Sequence, residues 1–274
     1  MGSIMLFSDI HADIGALDAI LRLSESRDFG ERYGQVSLTV NMGDVLERGH
    51  DPGPVIDRLE GMSNIESILG NHDEAFIGRI PVSGSDRDSE RAHEAYRATG
   101  RYQRFFQGMG KYYIDTKEKL YVVHGGPVDP CAITPREAEG VEAWIYTQPW
   151  QRISDIGIRY VDGSGYHYLP ADAFDAVKPV FNMGFAIICG HEHSEAAYRL
   201  KGGAVEDIYG SLEETEVDMG GVEVLEKRLP IEEDAAFLIR LGLAGPEGYD
   251  GGRCRFGVYT RKGGRAICLL NIPG

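Results

Sequence analysis

The chain has 274 residues, of which 42% are hydrophobic and 26% are charged, which is typical of a soluble globular protein with a sizeable core. No run of about 18 apolar residues occurs, so the sequence predicts no transmembrane helix and no membrane partner. The formal net charge of −15 argues against a long nucleic acid as partner, because proteins that bind one carry a basic face, but it allows a small phosphorylated molecule. The first residues lack the pattern of a signal peptide and the four cysteines are scattered, so we expect reduced thiols and a cytoplasmic protein.

The first half of the chain alternates short apolar runs with helical patterns. Apolar runs predict strands at 3–9, 36–44, 64–73 and 119–126. Apolar residues at helical spacing follow the first strand, a helix with an early proline opens at 51, and a charged helical stretch covers 86–108. This order of strands and helices predicts a parallel sheet with helices packed on it.

The second half begins with an irregular segment and ends in strands. Residues 127–170 are rich in Pro, Gly, Trp and Tyr, and we interpret them as an insertion over one end of the sheet. A helix at 170–184 leads to a strand at 185–193, and further strands follow around 196–200, 204–209, 222–226, 235–241, 255–260 and 265–271. The acidic segment 206–234 predicts a solvated hairpin or loop. No linker divides the chain, so we expect a single domain over 1–274.

Five predicted strands end in short polar motifs. These are Asp9-Ile10-His11, Gly43-Asp44, Gly70-Asn71-His72-Asp73, His124-Gly125-Gly126 and Gly190-His191-Glu192-His193. Each motif alone has a simpler interpretation, because such residues also cap helices, form turns or satisfy local hydrogen bonds. In open α/β sheets, however, ligands bind beyond the carboxyl ends of the strands. The five motifs together therefore predict a metal site at one edge of the sheet.

The residue types indicate which ions such a site would hold. Imidazole and carboxylate ligands together suit Mn, Fe, Zn or Ni better than Mg or Ca, which prefer oxygen ligands alone. The groups are too many for one ion and suit two, and a carboxylate can bridge the pair. Two ions about 3.5–4 Å apart form a clamp for in-line displacement at phosphorus. The sequence thus predicts phosphoryl chemistry at a dinuclear centre.

In this order, the motifs resemble those of the calcineurin-like metallophosphoesterase superfamily. The resemblance covers Asp9 to His193, and the stretch GDVLERGHDPGPVIDRL is similar to the small bacterial phosphodiesterase-type branch. It implies an α/β fold, a four-layer α/β/β/α sandwich of two mixed β-sheets flanked by helices. It also implies a phosphoesterase that hydrolyses a small phosphodiester or phosphomonoester by attack of a metal-bridging hydroxide.

The resemblance also implies roles for individual residues. Three residues would bind the first ion and three the second, namely Asp9, His11 and His193, and Asn71, His124 and His191. Asp44 would bridge the ions. His72 would protonate the leaving oxygen or stabilise its charge, and Asp73 would orient His72.

The segment Glu47-Arg48-Gly49 departs from the phosphodiesterase pattern. Protein Ser/Thr phosphatases and symmetrical dinucleoside tetraphosphatases have G-D-x-x-D-R-G there, with an Asp that supports the catalytic His and an Arg that grips phosphate. Here Glu47 replaces the Asp, so it either supports His72 or reaches solvent. Arg48 is either a phosphate clamp or part of a surface salt bridge.

Three functional hypotheses stay open at this point. The first is the small-molecule phosphoesterase, the second a protein Ser/Thr phosphatase or dinucleoside polyphosphate hydrolase, and the third a non-catalytic scaffold, which the complete set of ligand residues disfavours. The aromatic residues of the insertion either stack on a base or pack the insertion onto the domain. They are Trp144, Tyr146, Trp150, Tyr166 and Tyr168.

Overall fold

The computed structural model describes residues 2–78, 80, 87–245 and 253–273. In these residues the strands are β1 (Ser3–Phe7), β2 (Val36–Asn41), β3 (Ile65–Ser67), β4 (Tyr112–Asp115), β5 (Leu120–Val123), β6 (Arg152–Ile153), β7 (Tyr160–Asp162), β8 (Gly165–Tyr168), β9 (Ala186–Cys189), β10 (Ala196–Lys201), β11 (Ala204–Asp207), β12 (Glu214–Asp218), β13 (Glu223–Pro230), β14 (Ala235–Arg240), β15 (Cys254–Thr260) and β16 (Ala266–Ile272). The helices are α1 (Ile14–Ser24), α2 (Arg27–Tyr33), α3 (Pro52–Glu60), α4 (Asn71–Gly78), α5 (Arg87–Thr99), α6 (Arg101–Gln107), α7 (Pro130–Ile133), α8 (Val141–Trp144) and α9 (Pro170–Phe181). None of them has the length and apolar character needed to cross a membrane.

Two large mixed sheets contain most of the strands. The first has the order β12-β13-β16-β15-β1-β2-β3 and the second has the order β11-β10-β14-β9-β5-β4. β1, β2 and β3 are parallel neighbours, as their alternation with helices predicts. In the second sheet β9 lies in parallel between β5 and β14. The carboxyl ends of the motif-bearing strands therefore point the same way within each sheet.

The alternation of side chains along the strands explains the layers. In β1, Ile4 and Leu6 pack into a core between the two sheets, whereas Met5 and Phe7 pack under helices on the outer face of the first sheet. The outer face of the second sheet packs against α9 through Phe174. Both faces of the central strands are buried, which is why these strands read as continuous apolar runs. The predicted four-layer α/β/β/α sandwich is confirmed.

Some predicted elements differ from the observed ones in detail. The helical stretch 86–108, whose residue 86 lies outside the described residues, is divided into α5 and α6 at Gly100, where φ is +65°. Of the two interpretations of the acidic segment 206–234, the structure shows the hairpin, since β12 and β13 pair as antiparallel neighbours at the edge of the first sheet. The insertion 127–170 contains α7, α8 and a small sheet of β6, β8 and β7.

Candidate metal centre

The five strand-end motifs meet at one edge of the two sheets. Backbone hydrogen bonds connect the turns that carry them. The N–H of Asp9 donates to the carbonyl oxygen of Gly43 at 3.0 Å, and the N–H of Gly190 donates to that of His124 at 2.7 Å. Three residues separate the end of β3 from α4, which begins at Asn71. The topology therefore brings side chains that are far apart in sequence to one place.

Many of the site residues have a left-handed backbone conformation. A positive φ occurs at Asp9 (59°), His11 (46°), Asp44 (56°), His191 (70°) and His193 (60°). For residues other than glycine this conformation costs about 1–2 kcal/mol each. Such outliers concentrate at functional sites, where the surrounding structure holds a side chain in a required direction. The sharp turns aim these side chains back toward the strand ends.

One group of prospective ligand atoms comes from the first and last motifs. Potential ligand atoms of Asp9, His11 and His193 lie within 4.8 Å of one another. The Nε2 atoms of the two histidines are 3.2 Å apart, and His193 Nε2 is 3.3 Å from Asp9 Oδ1. These are the three residues that the resemblance assigns to the first ion.

A second group adjoins the first. Potential ligand atoms of Asp44, His124 and His191 also lie within 4.8 Å of one another. Asn71 Oδ1, a neutral amide oxygen, lies 3.2 Å from His124 Nε2, which in turn is 3.4 Å from Asp44 Oδ2. His124 Nε2 is also 4.0 Å from Asp9 Oδ1, so the two groups are contiguous. The two groups therefore form one continuous set of prospective ligand atoms.

The backbone orients these side chains. Nδ1 of His11 donates to the carbonyl oxygen of Leu46 at 3.1 Å, and Nδ1 of His124 donates to that of Met42 at 2.8 Å. A proton held on Nδ1 in this way leaves the Nε2 lone pair available for a metal. Gly70 is required beside them, because a Cβ there would lie only 2.0 Å from Asp44 Oδ1.

Two atoms of the prospective ligands are among the buried atoms that lack the partners a protein interior normally provides. Among the described residues, Asp9 Oδ1 and His191 Nε2 are fully buried and have no partner with hydrogen-bond geometry. The other oxygen of Asp9 accepts the N–H of His191 at 3.0 Å. An unsatisfied buried polar atom costs about 1–3 kcal/mol, so such an atom requires an explanation. A metal ion is a suitable partner for both, and the residues present fit the ions that the sequence predicts.

The electrostatics of the histidines agree with such a site. Burial, together with the neighbouring His72, lowers the pKa of His11 to about 3, so His11 is a neutral imidazole. Burial opposes a charge on His124 too, but the negative charge of Asp44 raises the pKa of His124 to about 9. An ion bound between these two side chains would displace that proton, because metal ligands bind in their deprotonated form.

His72 lies beside the prospective ligands without belonging to either group. Its Nδ1 is 2.6 Å from Oε2 of Glu47, and its Nε2 is 3.9 Å from Oδ2 of Asp44. Burial lowers the pKa of His72, but Asp44 and Glu47 outweigh this effect and the net shift is upward. A protonated His72 is a suitable proton donor for a leaving oxygen.

The geometry differs from the expectation that Asp73 orients His72. The Oδ2 atom of Asp73 accepts the backbone N–H groups of Asp44 at 2.8 Å and Gly70 at 2.9 Å, and its Oδ1 atom accepts that of Val45 at 3.1 Å. Both carboxylate oxygens are thus engaged by the backbone. The carboxylate at His72 Nδ1 is that of Glu47, so Asp73 joins the turns after β2 and β3 instead.

His93 of α5 is a residue that the sequence reasoning missed. Its Nε2 is 3.0 Å from Oε1 of Glu47, whose other oxygen contacts His72, so Glu47 lies between two imidazoles. Burial raises the pKa of Glu47, but the hydrogen bond from His72 and the close contact with His93 lower it by more, so the net shift is downward and the carboxylate stays ionised. His93 lies in a charged helix outside every motif, and no pattern in the sequence connects it with Glu47.

The site opens into a cleft with a volume of about 490 Å³. Arg48 lines this cleft, and its Nη1 atom is 3.3 Å from Nδ1 of His193. The insertion forms another wall, so it covers part of the metal edge. The lining residues that it contributes are Val141, Trp144, Ile145, Trp150, Arg152, Gly163 and Ser164.

Comparisons with known proteins agree with this geometry. A family model described as calcineurin-like phosphoesterase matches residues 2–195. The chain resembles the crystal structure of a metallophosphoesterase from Sphaerobacter thermophilus with a TM-score of 0.59 and 20% identity, over 97% of this chain and 86% of that chain. It also resembles a hypothetical protein from Pyrococcus horikoshii OT3 with a TM-score of 0.57 and 13% identity, over 100% of this chain and 88% of that chain. A search of curated proteins gives no significant match.

Proposed function

Since the chain belongs to the calcineurin-like phosphoesterase family and is a metal-dependent phosphoesterase, we propose that it hydrolyses small phosphomonoesters at a centre of two transition-metal ions. Asp9, His11 and His193 would hold one ion, and Asn71, His124 and His191 the other. Asp44, which belongs to the second group and whose charge also acts on His11 of the first, would contact both ions. Mn, Fe, Zn and Ni suit these ligands.

The observation that carries the monoester assignment is the geometry of Glu47 and Arg48. Glu47 contacts His72 at 2.6 Å, and Arg48 lines the cleft beside His193. These contacts support the interpretation of GDVLERG as a phosphatase-type segment. The phosphoryl group of a monoester has up to two negative charges and presents several free oxygens, whereas that of a diester has one charge. The planar guanidinium of Arg48 can bind two oxygens at once, and only the monoester, which has three terminal oxygens, then keeps a further one for the ions.

The chain's own residues then have distinct tasks. The ions, when bound, supply an activated water and neutralise phosphoryl oxygens. Arg48 would orient the phosphoryl group. His72 would donate its proton to the leaving oxygen, while Glu47 holds Nδ1 and leaves Nε2 as the proton-carrying atom. A cleft of about 490 Å³ favours a small substrate over the surface of a folded protein.

The test compares p-nitrophenyl phosphate with bis-p-nitrophenyl phosphate on protein that has been analysed for metal and reloaded with Mn. We expect the wild type to have a higher kcat/KM for the monoester than for the diester. The ratio of the two should fall about 10- to 100-fold in Arg48→Ala, which is the range for a lost hydrogen bond to a charged group. Arg22→Ala is the control, because Arg22 is an exposed residue of α1 outside the cleft. A preference for the diester that is insensitive to Arg48 would contradict the proposal and indicate a phosphodiesterase.

A further inference from the structure

The insertion places apolar surface inside the cleft. Val141, Trp144 and Ile145 line it together with His72. Val141 is 58% exposed, and the other two are only partly buried. If these residues served only to pack the insertion onto the domain, they would be covered by it, as Trp150 is at 9% exposure. We call Val141, Trp144 and Ile145 the apolar wall.

The apolar wall is anchored to the helix that carries His72. The indole N–H of Trp144 donates to Oε2 of Glu74 at 2.8 Å, and Lys111 Nζ lies 2.7 Å from the other oxygen of Glu74. Trp144 also packs edge-on against Trp150, with ring centroids 4.8 Å apart. These contacts fix the orientation of Trp144 before any ligand arrives, which reduces the entropic cost of binding. Glu74 follows His72 by two residues in α4, so the wall adjoins the leaving-group side of the site.

Polar groups of the insertion also line the cleft. Arg152 and Ser164 both line it, and Nε of Arg152 donates to the carbonyl oxygen of Ser164 at 2.7 Å. The Ser164 hydroxyl donates to Oδ1 of Asp162 at 2.6 Å, so it can act toward a ligand only as an acceptor. The remaining guanidinium N–H groups of Arg152 are donors of the kind that bind sugar hydroxyls. An apolar wall with a few polar groups beside it is the usual composition of a small-molecule site.

We propose that the leaving group of the substrate carries a planar aromatic ring that lies against Trp144, as in a nucleoside 5′-phosphate. This inference rests on the proposed function, because it names the alcohol part of the ester that is cleaved. Every nucleobase has a planar face that can stack on an indole. The apolar wall therefore selects substrates with an aromatic ring and does not distinguish one base from another. The cleft volume of about 490 Å³ lies within the range of small-molecule sites.

The kinetic test uses adenosine 5′-monophosphate and ribose 5-phosphate, which share the same primary ester and differ in the base. We expect the nucleotide to have a kcat/KM about 10-fold higher, the size of effect that stacking on an aromatic residue gives. Trp144→Leu should abolish this preference, because the kcat/KM of the nucleotide should fall to the level of ribose 5-phosphate. Trp144→Phe should keep most of the preference, because it retains a ring and loses only the hydrogen bond to Glu74. Ile156→Ala is the control for the Trp144 variants and should keep the preference, since Ile156 is 62% exposed in the same insertion and lies outside the lining residues.

A binding measurement separates this inference from the proposed function. Trp144 and Trp150 are the 2 tryptophans of the chain, and both line the cleft, so tryptophan fluorescence excited at the red edge reports on a stacked base. We expect saturable quenching by adenosine 5′-monophosphate in the wild type and its loss in Trp144→Leu. Equal kcat/KM for the two phosphates with no quenching would overturn the inference and leave the monoester assignment intact. If neither phosphate is hydrolysed, the monoester assignment fails. In that case, quenching that depends on Trp144 would still support the aromatic site, and a lack of quenching would overturn the aromatic site as well.

Discussion

Oε2 of Glu47 lies 2.6 Å from Nδ1 of His72, and both side chains are buried. This contact explains the departure of the segment GDVLERG from the G-D-x-x-D-R-G pattern. Glu47 is longer than the Asp of that pattern, yet its carboxylate also contacts the histidine of the G-N-H-D motif. The φ of Glu47 is 70°, in the left-handed region. The oxygen that remains contacts His93, which keeps the carboxylate in place. The following predictions concern this pair and the residues around it.

Glu47→Gln should lower kcat about 10-fold or more and leave the metal content unchanged. The negative charge of Glu47 contributes to the raised pKa of His72, so its removal lowers that pKa and the acid form is lost at a lower pH. The alkaline limb of the kcat profile should therefore move to lower pH. Glu25→Gln, at an exposed position, is the control. An unshifted limb with normal kcat would show that Glu47 has no part in the chemistry.

His72→Ala should retain the ions and lose rate. Its ring nitrogens face Glu47 and, at 3.9 Å, Asp44, so no prospective ligand atom is removed with it. Loss of a general acid lowers kcat by about 10²–10⁴-fold. The loss should be smaller for p-nitrophenyl phosphate, whose leaving group needs less protonation, than for an alkyl phosphate. Metal analysis decides the assignment, because a variant that arrives without its ions means that His72 is a ligand.

Asp44→Ala should remove both ions and all activity, since Asp44 lies in the second ligand group and its charge also acts on His11 of the first. Elemental analysis of the purified protein measures the metal content directly. Asp175→Asn, at an exposed position of α9, provides the comparison. Full metal occupancy with normal turnover in Asp44→Ala would refute the bridging role.

Asp73→Asn should destabilise the fold before it affects catalysis. An Asn side chain has one acceptor oxygen where Asp73 has two. Its NH₂ group would therefore face a backbone N–H donor, either that of Val45 or those of Gly70 and Asp44, and the hydrogen bonds on that side would be lost. We expect the free energy of unfolding to fall by about 1–3 kcal/mol. Thermal or urea unfolding of the metal-free protein measures this, again beside Asp175→Asn. Unchanged stability with a lower kcat would return Asp73 to the role of orienting His72.

The fold and the identity of the converging motifs were predictable because both depend on local patterns. Strands buried on both faces, such as β1 and β9, read as continuous apolar runs in any context. The carboxyl ends of neighbouring parallel strands meet at one edge, so Asp9, Asp44 and Asn71 were expected together. The apolar runs alone do not show that a second sheet packs face to face against the first. The resemblance to the family supplied that part of the prediction.

The tertiary structure decided which carboxylate contacts His72 and what the insertion covers. Asp73 is adjacent to His72 in sequence, but α4 directs its side chain into the turns after β2 and β3. Glu47, 25 residues away, reaches His72 through a left-handed turn, and His93 reaches Glu47 from α5. The sequence by itself determined the layers and the strand-end motifs, because periodic burial is a local property. Contacts within hydrogen-bond distance depend on how separate turns are oriented in space, and only the folded chain contains that information.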